Sequence, residues 1–488
     1  MDFLRSAVAA AVFVAAIYGT GFASMQNRVD ELVRSRNYNT GGLGVVVMDL
    51  DRDSVVVSIN ANVLMNPASV QKLITGAAAL EILGPMHTHL TNVYHDGTWD
   101  PDSGVINGNL YIRGGGDPGL NAERIWVLVQ HLLHRGVRQV TGNLVIDNNF
   151  FDNVGLGPGF DNKHDSRSYM SLISALSPNY SSVAIHHRPG GEIGGPVHID
   201  IFPSIPSFKV NSTAITVEGG DGRLDISTAL KNGVTTIDIK GTMGIDERPV
   251  YTYRRMWNTW DAFGGAFREQ CRINGLRIAG RTVQGRVPDS LIAQGAFYAF
   301  GGEPLTEFIK HMFKWSSNFV SEMLFKTMGA RRRGEPGTWP KGTEAIEEWW
   351  ESRGFSNEPR PLFVNGSGMG SLRPQRVENL VTAGQTVELL AHVSKQKRYF
   401  PEFVASLPSA GVDGTLRARF RRSELRGLVR GKTGTLNSMK VSALAGYMLL
   451  ENKTYAFAIF CNNVGSGQHD NWIMQEQILE IVAGVRGN

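Results

Sequence analysis

The sequence predicts an α+β fold: one antiparallel sheet covered by helices, interrupted by a long insertion. Three observations lead there. Strand-forming and helix-forming segments stand at both ends of the chain. Between about Tyr94 and Pro288 the texture changes to short strands, glycine turns and few long helices. The composition is that of a globular protein, 42% hydrophobic and 19% charged over 488 residues, and with 9% aromatics and 56 glycines it excludes coiled coil and disorder.

In chain order, Gln26 to Arg36 reads as a short helix. Leu43 to Met48 and Val55 to Ile59 are β-rich runs flanking Asp51-Arg52-Asp53, which predicts a hairpin. Asn66-Pro67-Ala68 then leads into Val70 to Leu83, and Pro beside an apolar run marks a helix N-terminus, placing Ser69 in the first helical turn. Two later stretches resemble each other. Glu123 to Arg135 and Ala262 to Asn274 each read as a helix followed by a glycine turn and a strand, so both are assigned to one inserted domain. Ile201 to Tyr253 alternates strands and turns. Helical texture returns at Pro304 to Met328, Thr343 to Trp350 and Ala383 to Val393. Leu428 to Leu436, Ser442 to Leu450 and Tyr455 to Asn462 read as three strands, and Asn471 to Val485 as an amphipathic helix. The N-terminal hairpin and the three C-terminal strands are expected to form one sheet. The expected division is therefore a main domain of residues 24–95 and 293–488, an inserted domain of 96–200 with 255–292, and a smaller β-rich insertion at 201–254.

Residues 1–23 read as an export signal. Arg5 is followed by the apolar run Ala7 to Ile17, then by Gly21-Phe22-Ala23, with small residues two apart for a peptidase. No later segment approaches 18 apolar residues, so a soluble body in the periplasm or cell envelope is expected. Cys271 and Cys461 fall in different domains of this layout and read as buried small hydrophobes. Net charge is +4, nearly balanced. The clusters Arg331 to Arg333 and Arg417 to Arg422 read as solvated faces, with peripheral wall or membrane association as the alternative. No segment resembles a nucleic-acid module. No metal or cofactor is expected, because His131 with His134 and His186 with His187 lack carboxylate or cysteine partners at ligand spacing.

Three motifs carry the chemistry. Ser69-Val70-Gln71-Lys72 is S-x-x-K, Ser316-Ser317-Asn318 is S-x-N, and Lys432-Thr433-Gly434 is K-T-G. On a helix, residues three apart share a face, so the Lys72 amine can reach the Ser69 hydroxyl. Serine is a weak nucleophile until a base takes its proton, and a lysine made neutral by burial or a nearby cation can do so. Ser316 supplies a hydroxyl that relays a proton, and Asn318 an amide that holds a carbonyl. Lys432, Thr433 and Thr435 offer a cation and hydroxyls to a carboxylate, and Gly434 lets a substrate backbone approach. The backbone N–H groups of Ser69 and Thr435 would form the oxyanion site. S-x-x-K alone occurs by chance about once or twice in such a chain. All three motifs in this order and context are a specific signal. Gly431-Lys432-Thr433 does not extend to a phosphate loop, because that pattern needs glycine where Arg426 stands.

The set resembles the serine penicillin-recognising enzymes. Pro67 to Leu73, Gly114-Gly115-Gly116-Asp117-Pro118, Asn365-Gly366-Ser367-Gly368, Leu407 to Leu416 and Arg430 to Leu436 resemble, more narrowly, the class C low-molecular-mass penicillin-binding proteins. These are D-alanyl-D-alanine carboxypeptidases and endopeptidases typified by penicillin-binding protein 4. The resemblance covers nearly the whole mature chain. It implies a serine β-lactamase/D,D-peptidase-like fold with two domains inserted between the first and second motifs. It also implies action on peptidoglycan stem peptides and covalent inhibition by β-lactams. The sequence departs from that family at Ser317, at Met369 to Arg373, and in Asn437 to Lys440, which looks slightly long. A β-lactamase is the first alternative, but no glutamate stands like the deacylating base of class A enzymes and the insertion is too long. A wall-binding scaffold without turnover is the second, and the presence of every motif residue argues against it.

Overall fold

The computed structural model describes residues 25–160, 166–220 and 222–485. The export signal expected at 1–23 lies outside them. The chain packs as two units. One comprises the N-terminal part up to Glu81 with Ile309–Ser317 and Ile346 onward; the other comprises Ile82–Phe308 and Asn318–Ala345.

The first unit is built on five antiparallel strands: β1 (Leu43–Asp49), β2 (Ser54–Ile59), β3 (Val429–Leu436), β4 (Val441–Leu450) and β5 (Lys453–Asn462), in the order β3-β4-β5-β1-β2. The expected joining of N-terminal hairpin and C-terminal strands is met by β1 against β5, from Leu43 opposite Cys461 to Asp49 opposite Tyr455. β1 is apolar almost without alternation because it is central and covered on both faces. On one face, Met474, Ile478, Leu479 and Val482 of the helix Gln468–Ala483 join Val45, Val47, Phe457 and Ile459 in the core, with Val29 and Val33 of the helix at 25–35. Each such buried side chain contributes roughly 1.5–3 kcal/mol. The helix Ala383–Ser394 packs on β1 and β5, and the Tyr447 hydroxyl of β4 donates to the carbonyl of Leu390 in that helix at 2.8 Å. The strand order leaves β3 at one edge of the sheet.

Ser69 differs from expectation in one respect. It stands in a 3-10 turn, Ala68–Val70, that feeds the α-helix Gln71–Ile82 rather than in the helix itself. Ala68 takes φ +45°, and the Val70 N–H bonds back to the Pro67 carbonyl, which tightens the turn. The helical stretch read from Pro304 to Met328 is likewise two helices, Leu305–Lys314 and Asn318–Arg333, separated at Ser316, whose φ is +56°.

In the second unit, the two helix-turn-strand stretches are the helices Ala122–His134 and Thr259–Ile273 and the strands after them, which pair in parallel. A third copy of the turn, at Asn107 to Leu110, pairs with the same strands. Gly142 donates its N–H to the Gly108 carbonyl and Gly280 to the Gly142 carbonyl, both at 2.9 Å, and a β-carbon on Gly142 would fall 2.5 Å from the Gly108 oxygen. Beside them the Asn109 and Asn143 side chains each accept the next turn's N–H, at 2.7 and 2.8 Å. Within 209–244, four strands make a sheet of their own.

Cys461 lies in the first unit and Cys271 in the second; both are buried and unpaired, and burial pushes both thiols up, Cys461 to about 12. Trp349 and Trp350 are buried, as a packing role requires. Among the described residues, no helix is long and apolar enough to cross a membrane.

Candidate active site

Lys72 is fully buried, and its Nζ donates to Ser69 Oγ at 2.9 Å and to the Ser367 carbonyl at 2.6 Å. The three-residue spacing makes the first contact, and the loop Asn365-Gly366-Ser367-Gly368 makes the second. That loop is closed on itself by Gly368 N–H donating to Asn365 Oδ1 at 2.8 Å. Gly368 has φ +79°, and a β-carbon there would fall 1.8 Å from the Ala68 carbonyl oxygen. One helical turn on, the Thr75 hydroxyl donates to the Gly366 carbonyl at 2.7 Å. The loop was part of the sequence resemblance but carried no assigned role; it is the platform under the lysine.

The turn before Ser69 is held by residues that no motif announces. Asn66 accepts the Ala68 N–H on its Oδ1 at 2.8 Å and donates its Nδ2 to Glu378 at 2.9 Å, while its own N–H donates to Asn462 Oδ1 at 2.8 Å. Asn66 and Glu378 are buried. Left-handed φ at Ala68 is costly for a residue with a β-carbon, and this network supplies the restraint that keeps it.

Ser316 meets the third motif rather than standing alone. Lys432 Nζ donates to Ser316 Oγ at 2.9 Å and to the Thr433 carbonyl at 2.7 Å. Lys432 has no exposed surface. Burial first, and the neighbouring Lys72 second, push its pKa well below the ordinary lysine range. Two amines sharing a dry site disfavour full protonation of both, which is the condition for one of them to act as a base.

β3 brings K-T-G against Ser69. A β-carbon on Gly434 would fall 2.7 Å from the Pro67 carbonyl oxygen and 3.0 Å from the Ser69 nitrogen, so only glycine lets the strand run this close. Thr433 Oγ1 donates to Thr415 Oγ1 at 2.7 Å. Thr435 Oγ1 accepts from Gln468 at 3.4 Å, and Gln468 also donates to Ser442 at 2.9 Å. Ser69, Lys72, Ser316, Lys432, Thr433, Gly434 and Thr435 thus all belong to the first unit. Asn318 opens the helix Asn318–Arg333 of the second unit, where its Nδ2 donates to the Tyr169 carbonyl at 3.1 Å.

The turn after K-T-G meets the loop that follows Gly368. Asn437–Met439 form a 3-10 turn closed by Lys440 at φ +53°, and this turn carries Met439 to Gly370, where a β-carbon would fall 2.9 Å from the sulfur.

The chain matches the model of the D-Ala-D-Ala carboxypeptidase 3 (S13) family over residues 25–484. It is 30% identical over 462 residues to a D-alanyl-D-alanine carboxypeptidase of an Actinomadura species, covering 92% of this chain and 82% of that protein. It is 26% identical to a D-alanyl-D-alanine carboxypeptidase of Haemophilus influenzae, with 87% and 86% covered. Its fold is similar to the crystal structure of penicillin-binding protein 4 from Haemophilus influenzae, with a TM-score of 0.79, 22% identity, and 94% and 99% of the two chains covered.

Proposed function

The chain belongs to the D-Ala-D-Ala carboxypeptidase 3 (S13) family, and from that premise we propose that it is a serine-type D-alanyl-D-alanine carboxypeptidase, with D,D-endopeptidase activity as a second reaction, working through an acyl-enzyme on Ser69. The observation that carries this reading is the 2.9 Å contact between Lys72 Nζ and Ser69 Oγ, in a turn pressed against Gly434.

Neutral Lys72 takes the Ser69 hydroxyl proton, and Oγ attacks the carbonyl carbon of the penultimate D-alanine. The oxyanion is received by the N–H groups of Ser69 and Thr435. The C–N bond then breaks. The Ser316 hydroxyl gives its proton to the departing amine and is refilled with the proton held by Lys72. Lys432 holds Ser316 in place and lends positive charge to the carboxylate end of the site. Thr433 and Thr435 bind that carboxylate, Gly434 admits the substrate backbone, and Asn318 holds a substrate carbonyl. Water, activated by Lys72, then adds to the ester; the acyl group leaves as a carboxylate and Ser69 recovers its proton. A β-lactam acylates the same serine.

The substrate is the stem peptide of peptidoglycan, and export by residues 1–23 would deliver the protein to the periplasm or cell envelope. Residues 96–200 with 255–292, and residues 201–254, act as two inserted domains; the separate sheet within 209–244 supports the smaller one. The test is labelling with a fluorescent penicillin, wild type beside Ser69→Ala, with mass spectrometry of the adduct. A stoichiometric adduct on Ser69 that the variant lacks is expected. Folded wild-type protein that takes no label sinks the proposal and favours a scaffold.

A further inference from the structure

Thr415 carries no role in the reaction described above, yet it is fixed against a residue that does. Its Oγ1 lies 2.7 Å from Thr433 Oγ1. Thr415 itself is exposed, and Lys432, the cation of the same motif, is fully buried and engaged with Ser316 and the Thr433 carbonyl. An anion arriving at the surface of β3 therefore meets hydroxyls before it meets the lysine.

The segment that delivers Thr415 is not a loose loop. It runs along the outer edge of β3, with the Ala410 N–H bonded to the Val429 carbonyl at 2.9 Å and the Gly431 N–H to the Pro408 carbonyl at 3.0 Å. Asp413 caps it by accepting the Ser409 N–H at 2.8 Å, and Lys314 Nζ bonds both Asp413 oxygens, at 2.8 and 2.6 Å, and the Leu407 carbonyl at 2.7 Å. Gly414 lies so close to the end of the Leu305–Lys314 helix that a β-carbon would fall 2.8 Å from the Lys314 carbonyl oxygen. Lys314 stands two residues before Ser316. One brace thus sets both Ser316 and Thr415 against β3.

A hydroxyl has one proton and two acceptor lone pairs. Two hydroxyls bonded to each other use one proton between them and leave one to donate outward; Thr433 donates to Thr415 here, and when a carboxylate takes the Thr433 proton the hydroxyls rotate and Thr415 donates to Thr433 instead. We propose that Thr415 is a positioning residue for the negatively charged C-terminus of the substrate: it fixes the Thr433 hydroxyl so that the pair presents one directed O–H to a carboxylate oxygen. This rests on the carboxypeptidase reading and deepens it, since it makes a free carboxylate a selected feature of the substrate.

The experiment compares wild type, Thr415→Val, Thr415→Ser and Thr433→Val, on a D-alanyl-D-alanine peptide and in acylation by a penicillin and its methyl ester. For Thr415→Val, KM for the peptide should rise roughly tenfold, as loss of an oriented bond to a charged group does, with kcat little changed. Acylation by the penicillin should slow by a similar factor and acylation by its ester should not. Thr415→Ser should restore both, and adding Thr415→Val to Thr433→Val should cost nothing further. Equal slowing with acid and ester, a fall in kcat at constant KM, or failure of serine to rescue overturns the inference, as does a Thr415→Val enzyme identical to wild type. Those results leave the acyl-enzyme standing, whereas a wild type that takes no penicillin on Ser69 overturns both.

Discussion

Two serine–lysine pairs sit in one site and are made in opposite ways. Ser69 and Lys72 are three residues apart, and the turn and helix that hold them bring the groups to 2.9 Å. Ser316 and Lys432 reach the same distance across 116 residues. Their meeting depends on the left-handed φ of Ser316, on the antiparallel register that sets Lys432 opposite Ala445, and on the Lys314–Asp413 brace. The first pair carries its geometry in its own sequence. The second is held by its surroundings, so it should fail by displacement as readily as by loss of a functional group.

The largest expected effect tests the local pair. Lys72→Ala removes the proposed base while leaving the turn, and the rate of Ser69 acylation in stopped-flow penicillin labelling should fall on the order of 10³-fold or more. Lys432→Met, which keeps the volume of the buried chain, should cost about 10²-fold, because Ser69 and Lys72 remain in contact. Equal losses would mean that the two pairs act as one unit.

Strand β3 offers a sharper cut within the distant set. Gly434→Ala drives a methyl group to 2.7 Å from the Pro67 carbonyl oxygen and should slow acylation by about 10²-fold through displacement of the turn. Gly431→Ala, three residues earlier, meets the Leu444 Cδ1 at 3.2 Å, the end of a side chain that can move, and should stay close to wild type in the same assay.

This asymmetry also explains what could be read from sequence. The S-x-x-K contact follows from helical spacing and the five-strand sheet from strand-length apolar runs, and both stand in the structure. The sheet was legible because β1, β4 and β5 are nearly unbroken apolar runs of strand length. The break at Ser316 was not, because a single left-handed residue between two good helical stretches leaves no mark in periodicity. Asn66, Glu378 and Asn462 were invisible for a related reason: a buried amide network is defined by partners about 300 to 400 residues apart. The glycine turn shared by the two helix-turn-strand stretches occurs a third time, at Asn107 to Leu110, where no helix precedes it to announce it.

The paired amines make stability depend on pH in a direction that isolates Lys432. Its pKa in the folded protein lies below the ordinary lysine value of 10.5. Between the two values the unfolded chain binds more protons than the folded one, so stability rises with pH through that interval. In Lys432→Met this contribution to the slope should vanish. Urea unfolding between neutral pH and pH about 10 measures it. A slope unchanged by the substitution would show that Lys432 is not the buried amine driving it.

The smallest effect on catalysis is expected at the far end of the helix that follows Ser69. Glu81 receives hydrogen bonds from His392, Tyr399, Trp349 and Arg353. Burial alone would raise its pKa, but these four bonds hold it down to about 2, against 4.5 for an ordinary glutamate. The stability it contributes is therefore complete above pH about 4.5 and is lost as pH falls toward about 2. Glu81→Gln should lower stability by about 1–2 kcal/mol at neutral pH and flatten the acid limb of the unfolding curve. Penicillin acylation at neutral pH should stay at the wild-type rate. Glu81 anchors the helix by long-range bonds, but the contact that matters for chemistry is set by the turn at the opposite end. A large loss of acylation in Glu81→Gln would instead make the Ser69–Lys72 pair as dependent on distant partners as Ser316 and Lys432 are.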